Sequence, residues 1–234
     1  MATTAICTTL KSEILQAGHN FSTTVVITAT SGNATFTLTA LASTAGIAVG
    51  MAVTGTNITA GSVVASVDSA TQVTLSKASG AAPGANSTTF TADAFKIALV
   101  KSAPTRTFDG TQTNIGTPGS GAPTATNLGT DEVAASGTYA SGGSALTNVG
   151  PVSTNPTTSA AVSFSGTIQW TGATLSVTAA IIYNNSTRIG AAAVPLNGRT
   201  VSVHDFGGTQ SVTAGTLTLT VPTQDGTTGL IRIT

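Results

Sequence analysis

Charge is what this chain has least of. Asp, Glu, Lys and Arg make up 7% of its 234 residues, against about 25% in ordinary soluble domains. The bases Lys11, Lys77, Lys96, Lys101, Arg106, Arg188, Arg199 and Arg232 are scattered along the chain and balanced by as many acids, for a net charge of zero. A nucleic-acid binder needs clustered cations to displace counterions from phosphates, so no nucleic-acid partner is expected. Aromatics amount to 4%, too few for the interfacial girdles of a membrane barrel. The longest apolar runs, residues 95–100 and 179–183, are far too short for a bilayer-crossing helix. No membrane partner is expected either. The single cysteine, Cys7, excludes an intrachain disulfide and a cysteine-rich metal site. Lys11 and Glu13 interrupt what would be the apolar segment of a leader, so synthesis in a cytoplasm without a cleaved signal is expected.

Groups able to move protons or hold metals are just as scarce. The only histidines are His19 and His204, and a Ser-His-Asp arrangement needs one of them placed by a carboxylate against a serine. His204 and Asp205 are adjacent, so on a strand their side chains point to opposite faces. His204 reads as a packed or hydrogen-bonded strand residue, and His19 as a cap near a helix C-terminus, where a partly charged imidazole suits the dipole. Asp131 and Glu132 read as a solvated pair at a loop edge, lacking the distant partner a glycosidase needs. Calcium needs several acidic, amide or carbonyl oxygens at close spacing. Asp109-Gly110, Asp225-Gly226 and Asn197-Gly198 are instead turn signals. Gly116 to Gly121 contains no lysine and joins no strand to a helix, so it is not a phosphate loop. The expectation is no catalytic residue, no cofactor, no metal and no small-molecule substrate: a protein that is not an enzyme.

Thr, Ala, Ser, Gly and Val fill the space that charge leaves. Ile6, Leu10, Ile14 and Leu15 fall at helical spacing, with Thr3 or Thr4 available as N-cap and Gly18 as a stop. From Phe21 the period changes to two. Short strands are expected over 24–29, 34–41, 50–55, 62–67, 72–76 and 88–91, at the regular spacing of a small barrel or sandwich. Residues 95–101 form an apolar run and hence an interior strand. Ser102 to Thr130, rich in Gly, Pro, Thr and Asn, has little periodicity and reads as a loop that is either functional or extended over a partner. Strands resume over 132–135, 144–149, 160–165, 167–171, 173–184, 191–196, 199–206, 210–221 and 230–234. Threonine on outward strand positions follows from its branched Cβ. A neutral Thr/Ser surface lacks the repulsion that keeps copies apart, so self-association is expected.

Two sets of residues carry a resemblance. One is the opening Ala2 to Phe21, followed later by Phe95-Lys96-Ile97-Ala98-Leu99. The other is Asp131-Glu132-Val133, Gly137 to Gly143, Ala180-Ile181-Ile182-Tyr183-Asn184 and Val203-His204-Asp205-Phe206-Gly207-Gly208. These resemble a family of small tailed-bacteriophage virion structural proteins of the capsid decoration, or cement, type. Residues 49–67 and 73–76 are similar to small β modules of phage fibre and surface proteins. Shorter relatives run directly from the helix into the Phe95-like strand. The resemblance implies a mainly β fold: a sandwich or jelly-roll-like base, residues 1–21 plus 93–234, with one N-terminal helix. Residues 22–92 would be an inserted small β-barrel or sandwich that projects outward, since insertions are tolerated at surface turns. It further implies a virion protein on the capsid surface whose partners are the major capsid protein and copies of itself, as a trimer. The alternative is a tail or head fibre component contacting the host surface. Such a site generally wants aromatic platforms, which Trp170, Tyr139, Tyr183 and the phenylalanines supply sparingly.

Overall fold

The protein is described here by a computed structural model covering residues 2–16, 18–154, 159–187, 195–225 and 228–233. In chain order the elements are β1 (Ala5–Ile6), α1 (Thr8–Leu15), β2 (Val25–Ser31), β3 (Thr37–Thr39), β4 (Ala52–Gly55), β5 (Ser62–Ser69), β6 (Gln72–Leu75), β7 (Gly84–Thr91) and β8 (Phe95–Lys101). After a 3-10 turn at Gly129–Asp131 come β9 (Ser144–Leu146), β10 (Val152–Thr154), β11 (Ser159–Val162), β12 (Thr167–Asn184), β13 (Thr200–Thr220) and β14 (Ile231–Ile233). The fold is mainly β with one helix, as the period-two pattern predicts.

The chain divides into two compact units. One is built on Ala17–Asp93, the other on Met1–Gln16, Ala94–Thr187 and Pro195–Thr234. The first therefore interrupts the second in sequence. Its boundaries are tied together, because the Asn20 N–H donates to Asp93 Oδ2 at 2.9 Å and the Asp93 N–H to the Asn20 carbonyl at 3.1 Å.

The interrupting unit is a closed six-stranded barrel in the order β2-β3-β6-β5-β4-β7, with β7 pairing back on β2 over Val25–Ser31. Alternation along each strand sends Ala29, Leu38, Val53, Val64, Val73, Leu75 and Phe90 inward, where they pack with Leu41, Ile47 and Met51. Closure leaves no free sheet edge. Asp68 stitches the β5–β6 turn by accepting from Ser66 Oγ, Gln72 Nε2 and Thr74 Oγ1.

The other unit, the base, holds an antiparallel five-stranded sheet in the order β1-β13-β12-β8-β9 and a three-stranded sheet β10-β11-β14. β8 is interior, flanked by β12 and β9, which matches its apolar sequence. Residues 167–171 and 173–184 form one strand rather than two. The intervening Thr171-Gly172 sits at a register irregularity, so the ribbon bends without breaking. Residues 132–135 form no strand; Val133 N–H simply bonds the Leu99 carbonyl at 3.0 Å. The strand expected over 191–196 and the turn at Asp225-Gly226 lie partly outside the described residues.

The helix departs from its expected face. Ile6 belongs to β1, and the N-cap is Cys7, whose side chain makes no capping bond. Thr3 and Thr4 are spent elsewhere: the Thr3 N–H on the Phe108 carbonyl, and Thr4 Oγ1 accepting the Asp205 N–H. The buried helix positions are Leu10 and Glu13, while Leu15 is 88% exposed. Glu13 enters the interior because Arg199 pairs with it, and a buried charge is tolerated only when paired.

Candidate functional site

The acidic pair Asp131-Glu132 is not solvated at a loop edge. Asp131 is fully buried and Glu132 nearly so. Asp131 sits at the end of the 3-10 turn. Its carboxylate accepts from the Thr105 N–H and Oγ1 and from the Arg106 N–H, and pairs with Lys101 Nζ at 2.9 Å. Burial works to raise its pKa. The Thr105 amide, the Lys101 ammonium, the Thr105 hydroxyl and the Arg106 amide together outweigh it and hold the carboxyl below its ordinary range.

Glu132 anchors the next loop. Its Oε1 accepts from Tyr139 Oη at 2.9 Å and from the Gly142 N–H at 2.6 Å, and its Oε2 from Ser141 Oγ at 2.7 Å. Tyr139 Oη in turn accepts the Leu99 N–H at 2.9 Å, and Tyr183 Oη donates to the Gly142 carbonyl at 2.6 Å. Burial, with the Glu132 charge second, pushes the Tyr183 phenol up to about 12 and the Tyr139 phenol higher still. These phenols are fixed donors, and every oxygen of Glu132 is occupied by the chain itself. No histidine is among the partners of this cluster. Chemically it is a clamp that ties the 129–144 segment to β8.

The segment Ser102 to Thr130 is folded onto its own chain rather than extended. Buried Gln112 accepts from Arg106 Nη1 and donates to the carbonyls of Asn114 and Thr124. Asn127 accepts the Thr117 N–H and donates to the carbonyls of Ser120 and Ala122. Backbone polar groups that strands would pair are here satisfied by side-chain amides.

The two histidines have surroundings of their own. His19 lies beyond the helix, whose end is already closed by Gln16, and it stacks on Phe21 with centroids 6.1 Å apart. His204 bonds Ser202 Oγ at 2.8 Å, and burial lowers its pKa to about 4. Asp205 points the other way and accepts the Gly207 N–H. Cys7 is buried, which pushes its thiol up to about 11. Among the described residues, His, Cys, Asp and Glu nowhere gather in threes.

What remains open is a surface. No charged residue occurs between Glu132 and Arg188, nor between Asp205 and Asp225. These stretches contain β9, all of β12 and most of β13; Ala179–Asn184 of β12 are buried, and the exposed positions fall between Thr167 and Thr174 on β12 and from Gly207 to Thr220 on β13. The β12–β13 ribbon runs past the rest of its sheet, because β8 pairs only with Val177–Asn184 and β1 only with Val203 and Ser202. Trp170 is fully buried in the base, its Nε1–H on Ser144 Oγ and its ring edge-on to Tyr139. Phe206 and Gln210 line the same groove as Leu217, Leu219 and Trp170, so β13 curls back over its own start. Leu219 and Thr220 also border an adjoining apolar cleft with Ile97, Ile182, His204 and Leu230. Sequence reasoning expected strands over 167–171, 173–184, 199–206 and 210–221 but missed that they join into one long ribbon nearly free of charge. The available signal was the unbroken absence of charge across two long strands.

No family model, no curated protein and no solved structure matches the chain.

Proposed function

We propose that this protein is a non-catalytic structural component of a tailed-bacteriophage virion, a capsid decoration protein that binds the head shell and stabilises it by covering protein surface. The observation that carries the reading is the uncharged β12–β13 surface. Apolar and hydroxyl side chains on a sheet suit contact with another protein, whereas catalysis calls for proton-transferring groups held free. The acids of the base support the same reading, since Asp131 and Glu132 are consumed in holding loops. The resemblance of the opening helix, of Phe95–Leu99 and of Val203–Gly208 to virion structural proteins favours a phage shell as the partner. Many weak contacts repeated by shell symmetry then add to firm attachment.

Copy number on purified particles tests the reading. Quantitative mass spectrometry against the major capsid protein is expected to return a count on the scale of the shell subunits. A count on the scale of a single tail or neck ring would overturn it in favour of a tail or head fibre component.

A further inference from the structure

We infer that the outer edge of β13 over Thr209–Thr220 is a self-association surface, to which the same strand of a second copy adds antiparallel across a two-fold axis. Asp205 N–H meets Thr4 and Gly207 N–H meets Asp205; within 209–220 the Ala214 N–H turns back to Thr174 Oγ1 on β12, and no described strand pairs with the outer edge there. Natural sheets guard such edges with lysine, proline or inward charge. This one carries no charged residue and no proline from Phe206 to Val221.

The neutral edge selects its occupant. A charged partner finds no counter-charge here, while a second copy is neutral in the same places and matches itself. The exposed positions Thr213, Thr216, Thr218 and Thr220 would face hydroxyl residues of the partner strand, a favourable cross-strand pairing. The half-buried Leu217 and Leu219 would extend the apolar groove across the joint. Register irregularities at Trp170/Ala173 and Ala173/Leu175 bend the ribbon, so the pairing stays short. A dozen residues per copy falls below the roughly 20–30 a side of a stable complex. The contact is accordingly weak in dilute solution and filled where copies are held close together. Its location stands on the free protein, and its occupancy on a particle rests on the shell-binding reading.

A two-fold axis normal to the sheet preserves the face each side chain points to, so one residue on the edge meets its own copy. Because Cys7 is buried, single added cysteines report this meeting in the full chain. Thr213→Cys, Thr216→Cys and Thr218→Cys would be oxidised mildly at high protein concentration, with Thr54→Cys on the exposed barrel surface as control. Expected is a disulfide dimer that peaks at one edge position, exceeds the control severalfold, and falls to the control level when Thr220→Lys is added. Edge cysteines that cross-link no better than Thr54→Cys, or that ignore the lysine, would overturn the inference. Cross-linking by a protein that does not bind particles would leave this surface standing and remove the shell reading alone. Particle binding without edge cross-linking, even on the particle, would do the reverse.

Discussion

Tyr139 shows how a chain so poor in charge uses the little it has. Its hydroxyl accepts from the Leu99 N–H and donates to Glu132, so one oxygen joins an interior strand to a buried carboxylate. Tyr139→Phe keeps the ring against Trp170 but leaves an amide and a carboxylate lobe unsatisfied. The expected cost is about 1–3 kcal/mol, read as a lower midpoint in denaturant; an unchanged midpoint would show the clamp to be incidental. His204 makes a pH prediction. Burial holds its pKa near 4, below the value of about 6.5 for a free imidazole. The unfolded chain therefore takes up a proton that the folded chain refuses. Stability is complete above that free value and falls as pH drops toward 4, by an amount on the order of 2 kcal/mol once partial exposure is discounted. Below that window Asp131, held lower than its ordinary value, begins to lose its partners as it protonates. Urea unfolding at pH 7 and pH 4.5 checks this: His204→Gln should flatten the difference, and an equal loss in both proteins would remove His204 as its source.

At the scale of elements, close approach is enforced at particular glycines. Gly143 has φ +73°, and an added Cβ there would overlap the Ile97 carbonyl of β8. Gly166 has a similar φ of +83° with nothing within reach of a Cβ. Gly166→Ala should cost only the left-handed backbone strain, about 1–2 kcal/mol. Gly143→Ala must also push β9 from β8 and should cost severalfold more, or prevent folding. Similar melting temperatures for the two would refute the close packing. The elements also mark what was legible in the sequence. Alternation in Leu38, Val73, Val53 and Phe90 betrayed the barrel strands, and the run Phe95–Val100 betrayed an interior one, because burial imposes a period. The clamps at Asp131, Glu132, Gln112 and Asn127 have none. Their side chains bond backbone groups reached only through the fold, so Ser102 to Thr130 read as an extended loop. Glu13 was hidden for the same reason, since its partner Arg199 is remote in sequence.

At the scale of the molecule, the interrupted chain implies separable stability. The barrel has its own core and no sheet edge, and Asn20 and Asp93 hold its entry and exit side by side. Loop-closure entropy grows only slowly with length, so replacing residues 22–92 by a short linker changes the connection at little cost. Trp170 is the only tryptophan and is buried in the base, so its fluorescence reports that unit alone. Phe90→Ala, which empties the centre of the barrel core, should cost about 3–5 kcal/mol, a large share of a small domain's stability. The barrel signal in circular dichroism should then melt early while the Trp170 transition stays in place. The excised protein should keep the same Trp170 transition and, if attachment belongs to the β12–β13 surface, the same saturation of particles. A Trp170 midpoint that moves with Phe90→Ala would make the two units one cooperative structure. Intact folding with lost particle binding would instead move the attachment surface onto the barrel.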